Sequence, residues 1–136
     1  MKQIPKIEKY MTTMPHTVAR DLSVVKGLEL MRMHCIRHLP VEEDGKLIGV
    51  VSDRDIKLAA SFQSDSALRI DDIMTPDPYT VKLQTPLDAV VSEMAEHKYG
   101  CAIVVQDNGK VVGIFTAVDG LRVLSEVIQQ NYRAVS

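Results

Sequence analysis

Apolar residues recur with helical spacing at two places in the chain. Val24, Val25, Leu28 and Met31 fall at i, i+1, i+4 and i+7; Leu87, Val90, Val91, Met94 and Ala95 fall at i, i+3, i+4, i+7 and i+8. Each set draws one apolar stripe along a helix. Ser23 and Thr85 stand where an N-cap hydroxyl is wanted, and Pro86 suits the first helical position of the second stripe. The pattern then changes to strands. Leu39–Val41 and Cys101–Val105 read as strands, with Leu47–Val51 and Val111–Phe115 as their hairpin partners. Asp44-Gly45 and Asn108-Gly109 join them, because glycine accepts the positive φ of a tight hairpin turn. Another helix follows each hairpin, near Asp53 and near Ala117. The second runs to about Gln130, with Asn131 to Ser136 expected to fray. A short extended piece ends at Val18 ahead of the first stripe and at Val81 ahead of the second. The pattern is therefore β-α-β-β-α, used twice.

The residues repeat as well as the pattern. Met11-Thr-Thr-Met-Pro-His-Thr-Val18 and Met74-Thr-Pro-Asp-Pro-Tyr-Thr-Val81 share five of eight positions, at an offset of 63. Met31 then falls on Met94 and His34 on His97. One extra residue enters near Gln106 to Asn108, and Gly45-Lys-Leu-Ile-Gly49 falls on Gly109-Lys-Val-Val-Gly113 at an offset of 64. The expected organisation is a first repeat over 1–62, a connection over 63–69 and a second repeat over 70–136. A unit of about 60 residues buries little apolar surface alone. Two copies packed about a pseudo-twofold axis would share a core and leave two equivalent clefts between them.

Composition narrows the function. Of 136 residues, 46% are hydrophobic and 25% charged, an ordinary soluble balance. Sixteen basic against eighteen acidic residues give a net charge of -2, and aromatics are 4%. That disfavours nucleic acid as a partner, for want of both a basic patch and stacking surface. No run approaches the ~20 apolar residues of a membrane helix. Met1 to Tyr10 carries charges and no apolar run, so no signal peptide is expected. Two cysteines make no disulfide framework, and a reduced, cytoplasmic setting follows as the expectation.

The candidate chemistry lies at the strand-to-helix junctions Ser52-Asp-Arg-Asp55 and Thr116-Ala-Val-Asp119. Ser/Thr-x-x-Asp is a capping box, with hydroxyl and carboxylate each taking one free amide of the first turn. It is also a nucleotide contact, since an ionised Asp accepts from both hydroxyls of a ribose and a helix N-terminus suits a phosphate. Both readings can hold at once.

At these residues the sequence resembles the CBS-domain pair, or Bateman module, over nearly its whole length, from Ile7 to Leu124. The first copy carries the resemblance in Met11-Thr12, Thr17-Val18, Ile36-Arg-His-Leu-Pro-Val41, Asp44-Gly-Lys-Leu-Ile-Gly49 and Ser52-x-x-Asp55. The second carries it in Met74-Thr-Pro76, Thr80-Val81, Gly100-Cys-Ala-Ile-Val104, Gly109-Lys-Val-Val-Gly113 and Thr116-x-x-Asp119. The resemblance implies an α/β fold of two tandem repeats that binds adenosine compounds. Backbone near the Thr-Val and Leu-Pro-Val segments would hold the base, and the Asp would hold the ribose. The implied first cleft is Thr17, Val18, Ile36, Arg37, His38, Pro40, Ser52, Arg54 and Asp55. The implied second cleft is Thr80, Val81, Tyr99, Gly100, Cys101, Ala102, Thr116 and Asp119. The implied ligand is AMP, ADP or ATP, with S-adenosylmethionine or NADH as alternatives. Homodimers with helix-to-helix contacts are implied too.

The clefts differ in charge. Arg54 stands where copy two has Val118, and Arg37 and His38 stand where it has Gly100 and Cys101. A guanidinium fork suits phosphate oxygens, so phosphates are expected on the first copy's residues. Copy two also has Ile103 in place of Pro40. His34 and His97 fall near helix C-termini, where a cation is favourable. Cys101 is expected to pack as a small hydrophobe, and Met11 and Met74 to pack at the entry of each repeat. No metal cluster, P-loop, dinucleotide fingerprint or convincing nucleophile–base pair is present, so the chain is not expected to be an enzyme. No effector segment is left over in this length. The expectation is a stand-alone sensor acting on another protein by differential affinity of its ligand for two states. The competing reading is a ligand-free interaction scaffold in which Ser52 and Thr116 are caps only.

Overall fold

The computed structural model describes residues 2–13, 15–62 and 68–132. Its strands are β1 (Thr12–Thr13), β2 (Val18–Ala19), β3 (His38–Glu43), β4 (Lys46–Ser52), β5 (Thr75–Pro76), β6 (Thr80–Val81), β7 (Cys101–Val105) and β8 (Val111–Thr116). Its α-helices are α1 (Val24–His34), α2 (Asp53–Phe62), α3 (Ile70–Ile73), α4 (Leu87–His97) and α5 (Ala117–Tyr132), and a 3-10 turn covers Ile7–Lys9. Both predicted hairpins are present, β3–β4 and β7–β8, each with a register shift at the matching place, Val41/Glu42 and Val104/Val105. Asp44 and Gly45 both take positive φ, at 53° and 76°. The extra residue of copy two makes a longer turn, in which only Gly109 does so.

Helix caps follow the sequence with one correction. Ser23 accepts from the Lys26 amide at 3.2 Å, as an N-cap should. Thr85 is not the N-cap of α4; Pro86 is, and the Thr85 hydroxyl accepts from the Lys82 amide at 3.1 Å instead. Proline brings a fixed φ to the cap and no side-chain acceptor. Both stripes end one residue short of a left-handed residue, Cys35 and Lys98. Asn131 and Tyr132, expected to fray, are helical, since α5 reaches Tyr132; residues 133–136 lie outside those described.

The sheets are not built from one repeat each. Their orders are β2-β3-β4-β5 and β1-β8-β7-β6. β5, from the lead-in of the second copy, closes the first copy's sheet, and β1 closes the second's. The exchange is symmetric at the offset of 63. Ile7 N–H donates to Thr85 O at 2.9 Å, and Ile70 N–H to Leu22 O at 2.8 Å. Ile7 is fully buried among Val81, Leu87, Val90 and Phe115, and Ile70 among Val24, Met31, Leu39 and Ile56. A third cluster, Cys101, Ile103, Val105, Val111 and Ile114 with Leu47 and Val50 against it, joins the two sheets.

Met74 and Met11 seal this exchange on two glycines in mid-strand. A Cβ at Gly49 would meet Met74 Sδ at 2.6 Å and the Thr75 carbonyl at 3.0 Å, whereas the three atoms nearest a Cβ at Gly113 all belong to the Met11 side chain. A thioether can swing away; a paired strand's carbonyl cannot. Gly49→Ala is therefore expected to cost about 1–3 kcal/mol by overpacking, and Gly113→Ala clearly less. Urea midpoints of the two variants check the order, and equal losses would contradict it.

Candidate functional site

The strand pairing gathers the expected cleft residues at the end of each hairpin. His38 is the ladder partner of Ser52, and Cys101 of Thr116. The Asp53 amide, first of α2, donates to the Arg37 carbonyl at 2.9 Å, and the Ala117 amide to Gly100 at 3.0 Å. Ile36 to His38 is thus tied to the start of α2, next to Ser52, Arg54 and Asp55. β2 runs parallel to β3 with Val18 opposite Val41, and β6 to β7 with Thr80 opposite Ile103 and Val81 opposite Val104. Thr17 and Val18 therefore flank the edge that carries Pro40, and Thr80 and Val81 the edge that carries Ala102.

Both capping boxes are formed. Ser52 N–H donates to Asp55 Oδ2 at 2.9 Å, and Asp55 N–H donates to Ser52 Oγ at 3.1 Å. Thr116 N–H donates to Asp119 Oδ2 at 2.8 Å, and Asp119 N–H to Thr116 Oγ1 at 3.3 Å. The free edge of each carboxylate differs. Arg122, itself exposed, donates to Asp119 Oδ1 at 3.0 Å. Asp55 Oδ1 has no such partner among the described residues, so it keeps acceptor capacity for an incoming hydroxyl.

The Pro40/Ile103 difference has a structural consequence. Ile103 N–H donates to the Tyr79 carbonyl at 3.0 Å. Pro40, at the equivalent place, has no N–H to give to the His16 carbonyl. The backbone beside Thr17 is thereby freed of a bond that the second copy makes. His16 and Tyr79, which the sequence reading passed over, also differ in what they stack on. His16 lies on His34 with ring centres 3.7 Å apart, and Tyr79 on Tyr99 at 5.1 Å, with His97 at 5.2 Å from Tyr99. Their shared offset from Thr17 and Thr80 was the signal available.

His38 reaches the other repeat. Its Nε2 lies 3.0 Å from where a Cβ on Gly100 would stand. Burial pushes its pKa below the ordinary value, against the pull of Asp53 and Asp55. From the ordinary value of 6.5 down to that lowered one, the unfolded chain binds a proton that the folded chain does not. Stability should therefore fall as pH drops through this window. Urea unfolding of wild type and His38→Gln at about pH 7.5 and about pH 5.5 checks it. The variant should lose less between the two, and parallel losses would remove His38 from the account. Cys101 is buried, and burial pushes its thiol up to about 12, so it stays protonated and packs as a hydrophobe.

Of the rest, Thr17, Arg37, Arg54, Thr80, Tyr99 and Gly100 are exposed, while Val18, Pro40, Val81, Cys101 and Ala102 are buried. One surface concavity, of about 520 Å³, sits at Lys82–Gln84 and the Val105–Asn108 turn and holds none of the cleft residues. Another, of about 310 Å³, lies between α1 and α2 and takes in only Ile36 and Arg37 of them. Among the described residues no group of three or more His, Cys, Asp or Glu is placed to hold a metal ion, and no helix is long and apolar enough to cross a membrane.

Comparison with known proteins agrees with this geometry. The CBS domain family model matches residues 7–61 and 70–126. Inosine-5'-monophosphate dehydrogenase of Korarchaeum cryptofilum is 34% identical over 118 residues, which are 87% of this chain and 24% of the enzyme. The chain thus spans about a quarter of that curated relative. Among solved structures, a CBS domain pair in complex with 5'-methylthioadenosine and S-adenosyl-L-methionine superposes with a TM-score of 0.84 at 29% identity, covering 91% of this chain and 98% of that one. CBSX2 of Arabidopsis thaliana in complex with AMP superposes at 0.76 with 30% identity, covering 90% and 97%.

Proposed function

The chain belongs to the CBS-domain family as a tandem pair, and from that premise we propose that it is a regulatory sensor binding adenosine-containing ligands between its two repeats. The observation that carries this reading is Asp55. One of its oxygens completes the cap of α2, and the other is left for a ligand hydroxyl, at the junction where Ile36 to His38 meets Ser52. The structures of similar CBS pairs with AMP, 5'-methylthioadenosine and S-adenosyl-L-methionine support the ligand class.

In this reading the base lies against the backbone at Thr17–Val18 and Ile36–His38, and Asp55 takes the ribose. Arg54 and Arg37 then draw phosphates to the first site. The second site uses Thr80, Val81, Tyr99 to Ala102, Thr116 and Asp119, with no basic side chain among them. It suits the less charged members of the class. AMP, ADP and ATP are the expected ligands, with S-adenosylmethionine or NADH as further candidates. The role is regulatory and not catalytic: ligand binding shifts a conformational equilibrium that a partner protein reads. A cytoplasmic setting accords with the two unpaired cysteines.

We further read the working form as a homodimer. α5 has no buried residue, and Leu121, Leu124 and Ile128 are exposed at helical spacing along it. The alternative, a ligand-free scaffold, draws on the same helix and on capping boxes that are complete without a ligand. Calorimetric titration separates the two. Saturable binding of AMP or ATP at one or two sites per chain is the expected result. No heat from AMP, ATP, NADH or S-adenosylmethionine, in a folded chain freed of carried-over ligand, would favour the scaffold.

A further inference from the structure

The groove between α1 and α2 carries a basic rim. Arg32, Arg37 and Lys57 surround it, with Asp53 as the one carboxylate. Lys57 reaches Asp53 at 3.4 Å. Arg32 and Arg37 have no carboxylate partner among the described residues. The floor is apolar, from Leu28, Met31 and Ile36. Two unpaired guanidinium groups over an apolar floor favour an anion, since each can offer a two-bond fork to an oxyanion.

The second repeat supplies the comparison. At the offsets of 63 and 64, Arg32, Arg37 and Lys57 become Ala95, Gly100 and Leu121, and Asp53 becomes Ala117. The one cation on that side is Lys98, in the place of Cys35. In the floor, Leu28 and Met31 keep their type as Val91 and Met94, while Ile36 becomes Tyr99. All three rim cations are absent from the second copy.

We propose that this groove is a separate binding site for a phosphate group, either free phosphate or the head of a small phosphate ester whose body lies on Leu28, Met31 and Ile36. Of the first cleft's residues it shares Ile36 and Arg37, while Thr17, Val18, His38, Ser52 and Asp55 do not line it. Arg32 and Lys57 belong to the groove alone and distinguish it from the cleft.

The test is an amide and arginine side-chain NMR titration of the full chain at fixed ionic strength. The probes are inorganic phosphate and phenyl phosphate, with chloride as the control. Saturable shifts at Arg32, Arg37 and Lys57 are expected with phosphate and not with chloride. Tighter binding of phenyl phosphate would identify an ester as the occupant, and equal binding would identify the free ion. Arg32→Ala with Lys57→Leu, the residues that the second repeat carries, should weaken binding by about tenfold or more, since losing even one charge-assisted bond does so. Both positions are exposed, and an unchanged thermal midpoint confirms the fold. Linear, non-saturating shifts, unchanged affinity in the folded double variant, or shifts confined to Thr17, Ser52 and Asp55 would overturn the site. Repeating the titration with 5'-methylthioadenosine present separates it from the clefts, because that ligand carries no phosphate. Undiminished phosphate binding is expected, and competition would overturn the site's independence.

Discussion

Ile70→Ala should lower stability by about 2–5 kcal/mol, the range for emptying a fully buried aliphatic site. Ile70 is 0% exposed and belongs by sequence to the second repeat, yet it fills the first repeat's core. Its Cδ1 lies 2.9 Å from where a Cβ on Gly27 would stand, so the side chain rests on the bare backbone of α1. Its surroundings cannot close the gap easily. The Val24 amide is bonded to Leu68 O at 3.0 Å, the Met74 amide to Ile70 O at 2.9 Å, and β5 is paired to β4. The segment is pinned on both sides of the cavity the variant would leave. Because each repeat completes the other's sheet and core, the loss should move a single cooperative transition. Urea unfolding followed by circular dichroism and by Tyr fluorescence reads both points. A loss below about 1 kcal/mol, or two transitions with only one displaced, would contradict the shared core.

The second large effect concerns binding. Asp55→Asn should weaken an adenosine ligand at the first site by about tenfold to a hundredfold, the worth of a hydrogen bond to a charged acceptor. Asparagine keeps one oxygen for the Ser52 amide, so the cap of α2 survives. It replaces the second acceptor with an NH₂ donor, which two ribose hydroxyls cannot share in the same way. Asp55→Ala would remove the carboxylate's half of the capping box and the ligand contact together, leaving the Ser52 hydroxyl on the residue 55 amide, with a stability loss of about 1 kcal/mol as well. The amide variant therefore separates the roles. At the second site Asp119→Asn should do less, because Arg122 already occupies Oδ1 and must be displaced first. Calorimetry on the two variants reads the difference. Full affinity in Asp55→Asn would remove the ribose assignment, and a larger loss at Asp119 would reverse the ranking of the sites.

Much of this was legible in the sequence where one physical signal dominated. Asp44-Gly45 marked a hairpin because its φ values exclude most other residues. Ser23 marked a helix start, and Ser52 and Thr116 announced both capping boxes by spacing alone. The exchange of lead-in segments was not read. β1 and β5 are two residues long, and a period of two cannot show in two residues. The trace was there in another form: Ile7 and Ile70, Met11 and Met74 repeat at the same offset, and Gly49 and Gly113 leave mid-strand gaps that a thioether fills. The shift of the α4 cap from Thr85 to Pro86 is a boundary effect of one residue. The basic groove stayed hidden because its rim comes from a helix end, a loop and the next helix, and no sequence period links Arg32, Arg37 and Lys57.

The most direct test of adenosine binding between the repeats is a nitrogen-15 NMR titration of the full chain with AMP. The account predicts saturable shifts centred on Thr17–Val18, Ile36–His38 and Ser52–Asp55, with the equivalent set at Thr80–Val81, Tyr99–Ala102 and Thr116–Asp119 as the second site fills. Absence of saturable shifts, or shifts gathered on α5 and away from both junctions, would contradict it.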